Sequence, residues 1–411
     1  MNRREFLKTS LAASAVLFLN ENGWAARAMG DEKSRKRLVV ILLRGAVDGL
    51  NVVVPYSESA YYSARPTIAI PRPNENGGVL PLDNHFGLHP ALSPIMPLWE
   101  QKSLAFVHAS GSPDPSRSHF DAQDYMETGT PGAKTTPDGW LNRLLQVLPG
   151  THAATNGISV GPTLPRILSG KIATTNFALN QAGTRTTALD RPEIQSAFDR
   201  LYTGNDPLSV AYREGQSARK ALLAQLTEEM QMSDRGAPSP VGFAEQAQKL
   251  GRLIARDSTI KVAFVALGGW DTHINQGSST GQLANRLKGL GETVSALVQG
   301  LGSAYSDTAI LVMSEFGRTA HENGNTGTDH GHGNVMWAAG GNVNGGKIYG
   351  QWPGISGGEL YEGRDLAITT DFRQVISAVL EAQFGLTETQ LNKVLPNLPR
   401  ENQELRGLIG A

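Results

Sequence analysis

Leu38-Val39-Val40-Ile41-Leu42-Leu43 is apolar without a break, and Arg44-Gly45-Ala46-Val47-Asp48 turns the chain away from it. Alternating apolar and polar residues would mark a strand with one wet face; an unbroken apolar run marks a strand covered on both. The pattern returns at residues 104–108, 261–267, 308–313 and 335–339, with a shorter strand at 158–160. Amphipathic helices are expected at 119–127 (opened by Ser118), 214–232, 241–256, 280–302 and 371–384 (capped by Thr370). Buried strands alternating with helices predict an α/β fold: a doubly wound, mostly parallel sheet with helices on both faces. Residues 55–90, rich in Pro, Asn and Gly, read as long loops. There is no internal repeat, so residues 29–411 read as a single domain with a mid-chain insertion around 150–256.

Ahead of this domain stands Met1-Asn2-Arg3-Arg4-Glu5-Phe6-Leu7-Lys8, then an apolar stretch from Leu11 to Leu19 and Ala26-Arg27-Ala28. A charged start, a short apolar run and a small-residue cleavage site make a secretory signal over residues 1–28. The arginine pair marks the twin-arginine route, with its translocase as a transient partner, and predicts a periplasmic or extracellular protein. The apolar run is shorter than the roughly 20 residues that span a bilayer, so no stable span is expected in the mature chain. The 37 basic and 38 acidic residues give a net charge of −1, which argues against nucleic acid as a partner. The absence of cysteine excludes disulfides, zinc–thiolate sites and iron–sulfur clusters.

The chemistry is expected where the strands end, because ligands of open α/β sheets sit outside the carboxyl ends of the strands. Asp48 follows the first strand, Asp271 and His273 the strand at 261–267, and Glu315 the strand at 308–313. Asp329-His330-Gly331-His332-Gly333 then offers two imidazoles with glycines that let the backbone bend. Carboxylates mixed with imidazoles suit a divalent ion such as zinc, manganese or calcium. The alternative is that Asp48 and Asp271 cap helices or turns and the histidines face solvent. In Ser116-Arg117-Ser118-His119-Phe120-Asp121, a hydroxyl at a helix N-terminus could attack or hold a phosphate or sulfate ester, with Arg117 on its oxygens. Ser118 could also serve only as the helix cap. His85, His89 and His108 are expected to satisfy loop backbone groups, His152 and His321 to lie at the surface, and Trp270 and Trp337 to pack.

Together, the twin-arginine start, Leu43-Arg44-Gly45-Ala46-Val47-Asp48-Gly49-Leu50-Asn51, Ser118-His119-Phe120-Asp121, Gly269-Trp270-Asp271-Thr272-His273, Ser314-Glu315-Phe316-Gly317-Arg318 and Asp329-His330-Gly331-His332 resemble the bacterial family named domain of unknown function 1501. That family is similar in turn to the alkaline phosphatase and sulfatase superfamily. The resemblance implies an alkaline phosphatase-like fold and hydrolysis of phosphate or sulfate esters at a metal centre. It assigns Asp48, Asp271, His273, Glu315 and His330 or His332 to the metal, and Ser118, or Ser116, to the nucleophile. The pattern departs from the superfamily at Phe316, where an imidazole ligand is usual, and at Pro113, which stands where a sulfatase carries its convertible residue.

The expected function is an exported, metal-dependent hydrolase of phosphate or sulfate esters acting on a small ester or glycan. Ser118 would attack, and Arg117 or Arg318 would neutralise the transferred group. The alternatives are a non-catalytic periplasmic binding protein on the same fold, or a metallohydrolase of another bond.

Overall fold

The computed structural model describes residues 35–150, 152–177, 234–400 and 402–410. The expected signal at 1–28 and the helix expected at 214–232 lie outside the described residues. The described residues from Lys36 onward belong to one compact unit.

Among the described residues, nine strands form the main sheet: β1 (Arg37–Leu43), β2 (Leu104–Gly111), β3 (Gly157–Val160), β4 (Thr175–Phe177), β5 (Val262–Leu267), β6 (Thr308–Ser314), β7 (Asn334–Gly340), β8 (Lys347–Tyr349) and β9 (Thr370–Asp371). The order across it is β8-β2-β7-β6-β1-β5-β3-β4, with β9 beside β2. Every pairing is parallel except the two made by β7, which is antiparallel to both β6 and β2.

The unbroken apolar strands follow from this arrangement. Residues Leu38 to Leu43 are each at most 2 % exposed because helices cover both faces. Val39, Ile41 and Leu43 pack toward α3 (Ala244–Arg256) and α4 (Gln282–Leu301). Leu38, Val40 and Leu42 pack toward α2 (Trp140–Val147), α5 (Phe372–Phe384) and α6 (Glu388–Val394). Full burial of such a side chain contributes roughly 1.5–3 kcal/mol. Trp270 and Trp337 are both core residues.

Two local expectations differ. The cap of α5 is Asp371, whose carboxylate accepts from Arg373 N at 2.9 Å while Gln374 reaches back to Asp371 N, so Thr370 falls in β9 instead. The stretch 55–90 is more ordered than its Pro and Gly content suggests. It holds a helix at Ser59–Ala64 and strands at Leu80–Pro81 and Gly87–Leu88, the latter paired with Val53–Val54.

Candidate metal centre

Register brings the site together. Leu43 lies opposite both Leu267 and Ser314, so β1, β5 and β6 end at one level. Their exit loops carry Gly45, Asp271 and Glu315 side by side. β7 runs the other way, so the loop ahead of it delivers His330 to the same edge. β2 runs parallel to β6 and leads into α1 (His119–Thr128), which opens at that edge with His119. Close backbone approach is built in at Gly45: its φ is +111°, and a Cβ there would lie 2.8 Å from Asp271 N.

Three imidazoles and one carboxylate converge. His119 Nε2 and His330 Nε2 are 2.9 Å apart, and His273 Nε2 is 3.0 Å from His330 Nε2. Asp271 Oδ1 lies 2.9 Å from His273 Nε2 and 3.5 Å from His330 Nε2, and Asp271 Oδ2 lies 3.7 Å from His119 Nε2. Ligand atoms of His119, Asp271 and His330 all fall within 4.8 Å of one another, as a shared ion requires.

The second nitrogen of each ring has its own acceptor. His330 Nδ1 is 3.0 Å from the Arg117 carbonyl, His119 Nδ1 is 2.8 Å from Glu315 Oε1, and His273 Nδ1 is 3.2 Å from Asp329 Oδ1. A carbonyl can only accept, so in the neutral ring His330 Nδ1 carries the hydrogen and its Nε2 is bare. His119 and His273 Nε2 lie within 3.0 Å of that nitrogen, and with the hydrogens of both rings on the Nδ1 atoms that face Glu315 and Asp329 all three lone pairs would be free for one cation. Metal-bound histidines are oriented by outer acceptors in this way. Asp271 Oδ2 is also buried without a hydrogen-bond partner, a free lone pair aimed where a ligand atom is needed. The residues present therefore fit a divalent metal.

Charge around the cluster is strongly organised. Burial pushes the Asp271 carboxyl up, but His273, His330 and Arg318 outweigh it and hold it well below the usual range. Glu315 is buried too, yet His119 and Gln123 hold it at about 2. His273 is raised, first by its contact with Asp271. His330 is lowered by burial. Asp234, whose Oδ1 accepts from Gly269 N at 2.6 Å, is pushed up to about 7, chiefly by burial.

The other expected residues stand elsewhere. Asp48 is not in the cluster: Arg65 donates to both its oxygens, at 2.6 and 3.0 Å, and Gln276 Nε2 donates to Oδ2 at 2.6 Å. His332 stacks on Tyr361 with ring centroids 4.6 Å apart. Glu315 meets no metal-facing atom; it accepts from Gly45 N and Gln123 Nε2 and orients His119. Arg117 is held by Asp365 and Glu362, each at 2.7 Å. Arg318 is buried, donating to the carbonyls of Gly45, Ala46, Trp270 and Thr328 and to Asp271. Both guanidiniums are thus committed to the protein. Ser118 is the N-cap position of α1, is exposed, and makes no capping hydrogen bond with its side chain. His119 is the residue that sequence reasoning missed. Its signal was its place one residue inside a helix that follows a buried strand.

Among the described residues, no helix is long and apolar enough to cross a membrane. The chain is similar in structure to Ps i-CgsB, solved in complex with k-i-k-neocarrahexaose, at 11% identity over 90% of this chain and 75% of that one, with a TM-score of 0.43. It is similar to a protein in the alkaline phosphatase superfamily from Vibrio parahaemolyticus, at 12% identity, 74% and 60% coverage and a TM-score of 0.36. It is similar also to the lipoteichoic acid synthase LtaP from Listeria monocytogenes, at 9% identity, 89% and 76% coverage and a TM-score of 0.36. No curated protein matches the chain. The strand-end motifs quoted at the outset lie inside a match to one family model across residues 35–397, and on that match the chain belongs to the family described as protein of unknown function DUF1501.

Proposed function

We propose that this chain is an exported, metal-dependent hydrolase of phosphate or sulfate esters. The observation that carries the reading is the convergence of three imidazole Nε2 atoms on Asp271, each ring held from behind by an acceptor. His119, His273, His330 and Asp271 would hold the ion, and three nitrogens with one oxygen favour zinc over manganese or calcium. Such an ion would polarise an ester oxygen and favour a nucleophile near neutral pH.

The chain's own residues do the rest. Ser118, exposed and free of a capping bond, presents a hydroxyl one residue before His119 and is the candidate nucleophile. Glu315 fixes the His119 ring, Arg318 fixes Asp271, and Arg117 holds the loop whose carbonyl orients His330. Asp234, with a pKa of about 7, is suited to exchange a proton near neutral pH.

The commitment of Arg117 and Arg318 to internal partners favours a second reading, a binding protein with a structural metal. Elemental mass spectrometry of the purified chain, paired with aryl phosphate and aryl sulfate assays, separates them. Near-stoichiometric metal, lost in His119→Ala and in His273→Ala, with turnover abolished by Ser118→Ala, is the expected result. Metal without turnover of any ester selects the binding reading. No metal above background sinks both.

A further inference from the structure

Asp48 stands outside the cluster, yet it is tied to it. Asp48, Arg65 and Gln276 are each 0 % exposed. Arg65 grips both Asp48 oxygens, and the same guanidinium donates to the carbonyls of Thr319 and Ala320, each at 2.9 Å. Gln276 Nε2 donates to Asp48 Oδ2 at 2.6 Å, and because a carboxylate can only accept, that contact fixes which way the amide points. Its Oε1 then faces two donors, Thr272 Oγ1 at 2.7 Å and Thr328 Oγ1 at 2.9 Å.

These threonines lie in the two loops that carry His273 and His330. Thr272 stands between Asp271 and His273, and Thr328 immediately precedes Asp329, the acceptor behind His273. The backbones of the two loops also meet: Thr328 N donates to the Thr272 carbonyl at 3.2 Å, and Gln276 N to the Thr326 carbonyl at 2.9 Å. One buried amide therefore joins the turn after β1, the loop after β5 and the loop before β7. The two imidazoles that those loops deliver have Nε2 atoms 3.0 Å apart. A tetrahedral ion constrains where its ligand atoms stand, and contacts outside the ligands hold them there.

We infer that Gln276 is a positioning residue for the metal: anchored on the Asp48–Arg65 pair, its amide holds Thr272 and Thr328 and so sets where His273 stands relative to His330. The inference rests on the metal-centre reading and extends it beyond the acceptors behind each ring. It also gives Asp48 a role at the site without making it a ligand.

The test uses the full chain, stripped of metal with a chelator and reloaded with zinc or with cobalt(II), so it needs no ester turnover. Thr272→Val and Thr328→Val each remove one hydroxyl and keep the shape of the side chain. Each should weaken zinc binding about tenfold, the lower end of what losing an outer contact costs. Each should also change the visible absorption of the cobalt form, which reports ligand geometry rather than stability of the fold. Thr272→Ser keeps the hydroxyl and should restore both readings. Gln276→Met removes both arms and should weaken zinc further; if that chain does not fold, the threonine variants still decide. Thr293→Val, at a buried threonine of α4 outside this network, is the control and should match the parent. Parent-like zinc affinity and cobalt absorption in both valine variants would overturn the inference. So would an equal loss in Thr293→Val, or no recovery in Thr272→Ser. A parent chain that takes up neither metal would sink the metal-centre reading itself, and this inference with it.

Discussion

Each imidazole of the cluster has its far nitrogen held by a second residue, and on the proposed function that contact orients the ring toward the ion. Glu315→Gln keeps the size of the Glu315 side chain but removes the charge behind His119. Losing such an outer partner typically costs 10–100-fold in metal affinity. A metal-competition titration of Glu315→Gln should show a loss in that range, and an unchanged affinity would remove Glu315 from the site. Arg318 is the opposite case, a residue that looks reactive in sequence but is wholly occupied with backbone carbonyls and Asp271. Arg318→Met leaves a buried carboxylate without its cation, a change of about 3–5 kcal/mol. Urea unfolding measures this directly, and a shift under about 1 kcal/mol would mean that the pair is not buried as described. Acid and imidazole at the strand ends were legible from the chain. Their division of labour was not. Asp48 follows a strand as Asp271 does, yet Arg65, seventeen positions later, takes both of its oxygens. No local pattern announces that pairing, and His119 was hidden because the serine before it drew the reading.

The strands were the most legible elements, because burial on both faces writes itself as an unbroken apolar run. β1, β5, β6 and β7 begin and end within about a residue of where the runs do. The short strands β4, β8 and β9 have two or three residues each and carry no period to read; only their neighbours make them strands. The same holds for the small sheet in residues 53–88. Turns between elements are packed more tightly than composition suggests. A Cβ at Gly317 would lie 1.8 Å from the Gly333 carbonyl oxygen, backbone that cannot swing aside. Gly317→Ala should therefore force apart the loop after β6 and the one before β7, at a cost of about 3 kcal/mol or more. Both loops serve the cluster, so thermal melting and metal content should fall together in this variant. A melt matching the parent chain would show that the two loops are not in contact.

At the scale of the whole molecule, acid should be the weak side of its stability. His89 and His108 are pushed down to about 4 by burial. In each, a backbone N–H donates to Nδ1, from Ala91 and Ala109 respectively, so a proton there must displace a hydrogen bond. The unfolded chain takes those protons near pH 6.5, the folded chain only near 4. Stability is therefore fully present above 6.5 and is lost as pH falls toward 4, by about 2 kcal/mol per histidine at pH 5. Glu315, held at about 2 against an ordinary 4.5, extends the loss below pH 4.5. Urea midpoints at pH 7 and pH 5 should differ accordingly, and His108→Gln should shrink the difference. Equal midpoints would mean that neither ring is neutral in the fold.

The central strand has a further consequence, one of time. β1 is made first, but the partners on its two sides, β5 and β6, lie more than 220 and 270 residues further along the chain. At roughly 5–20 residues per second, synthesis leaves that strand waiting for about 10–50 s with both edges bare. A six-residue apolar segment with open edges is a hazard for aggregation over such an interval. That exposure ends only when the later strands emerge, and the imidazole cluster cannot assemble until residue 330 has emerged.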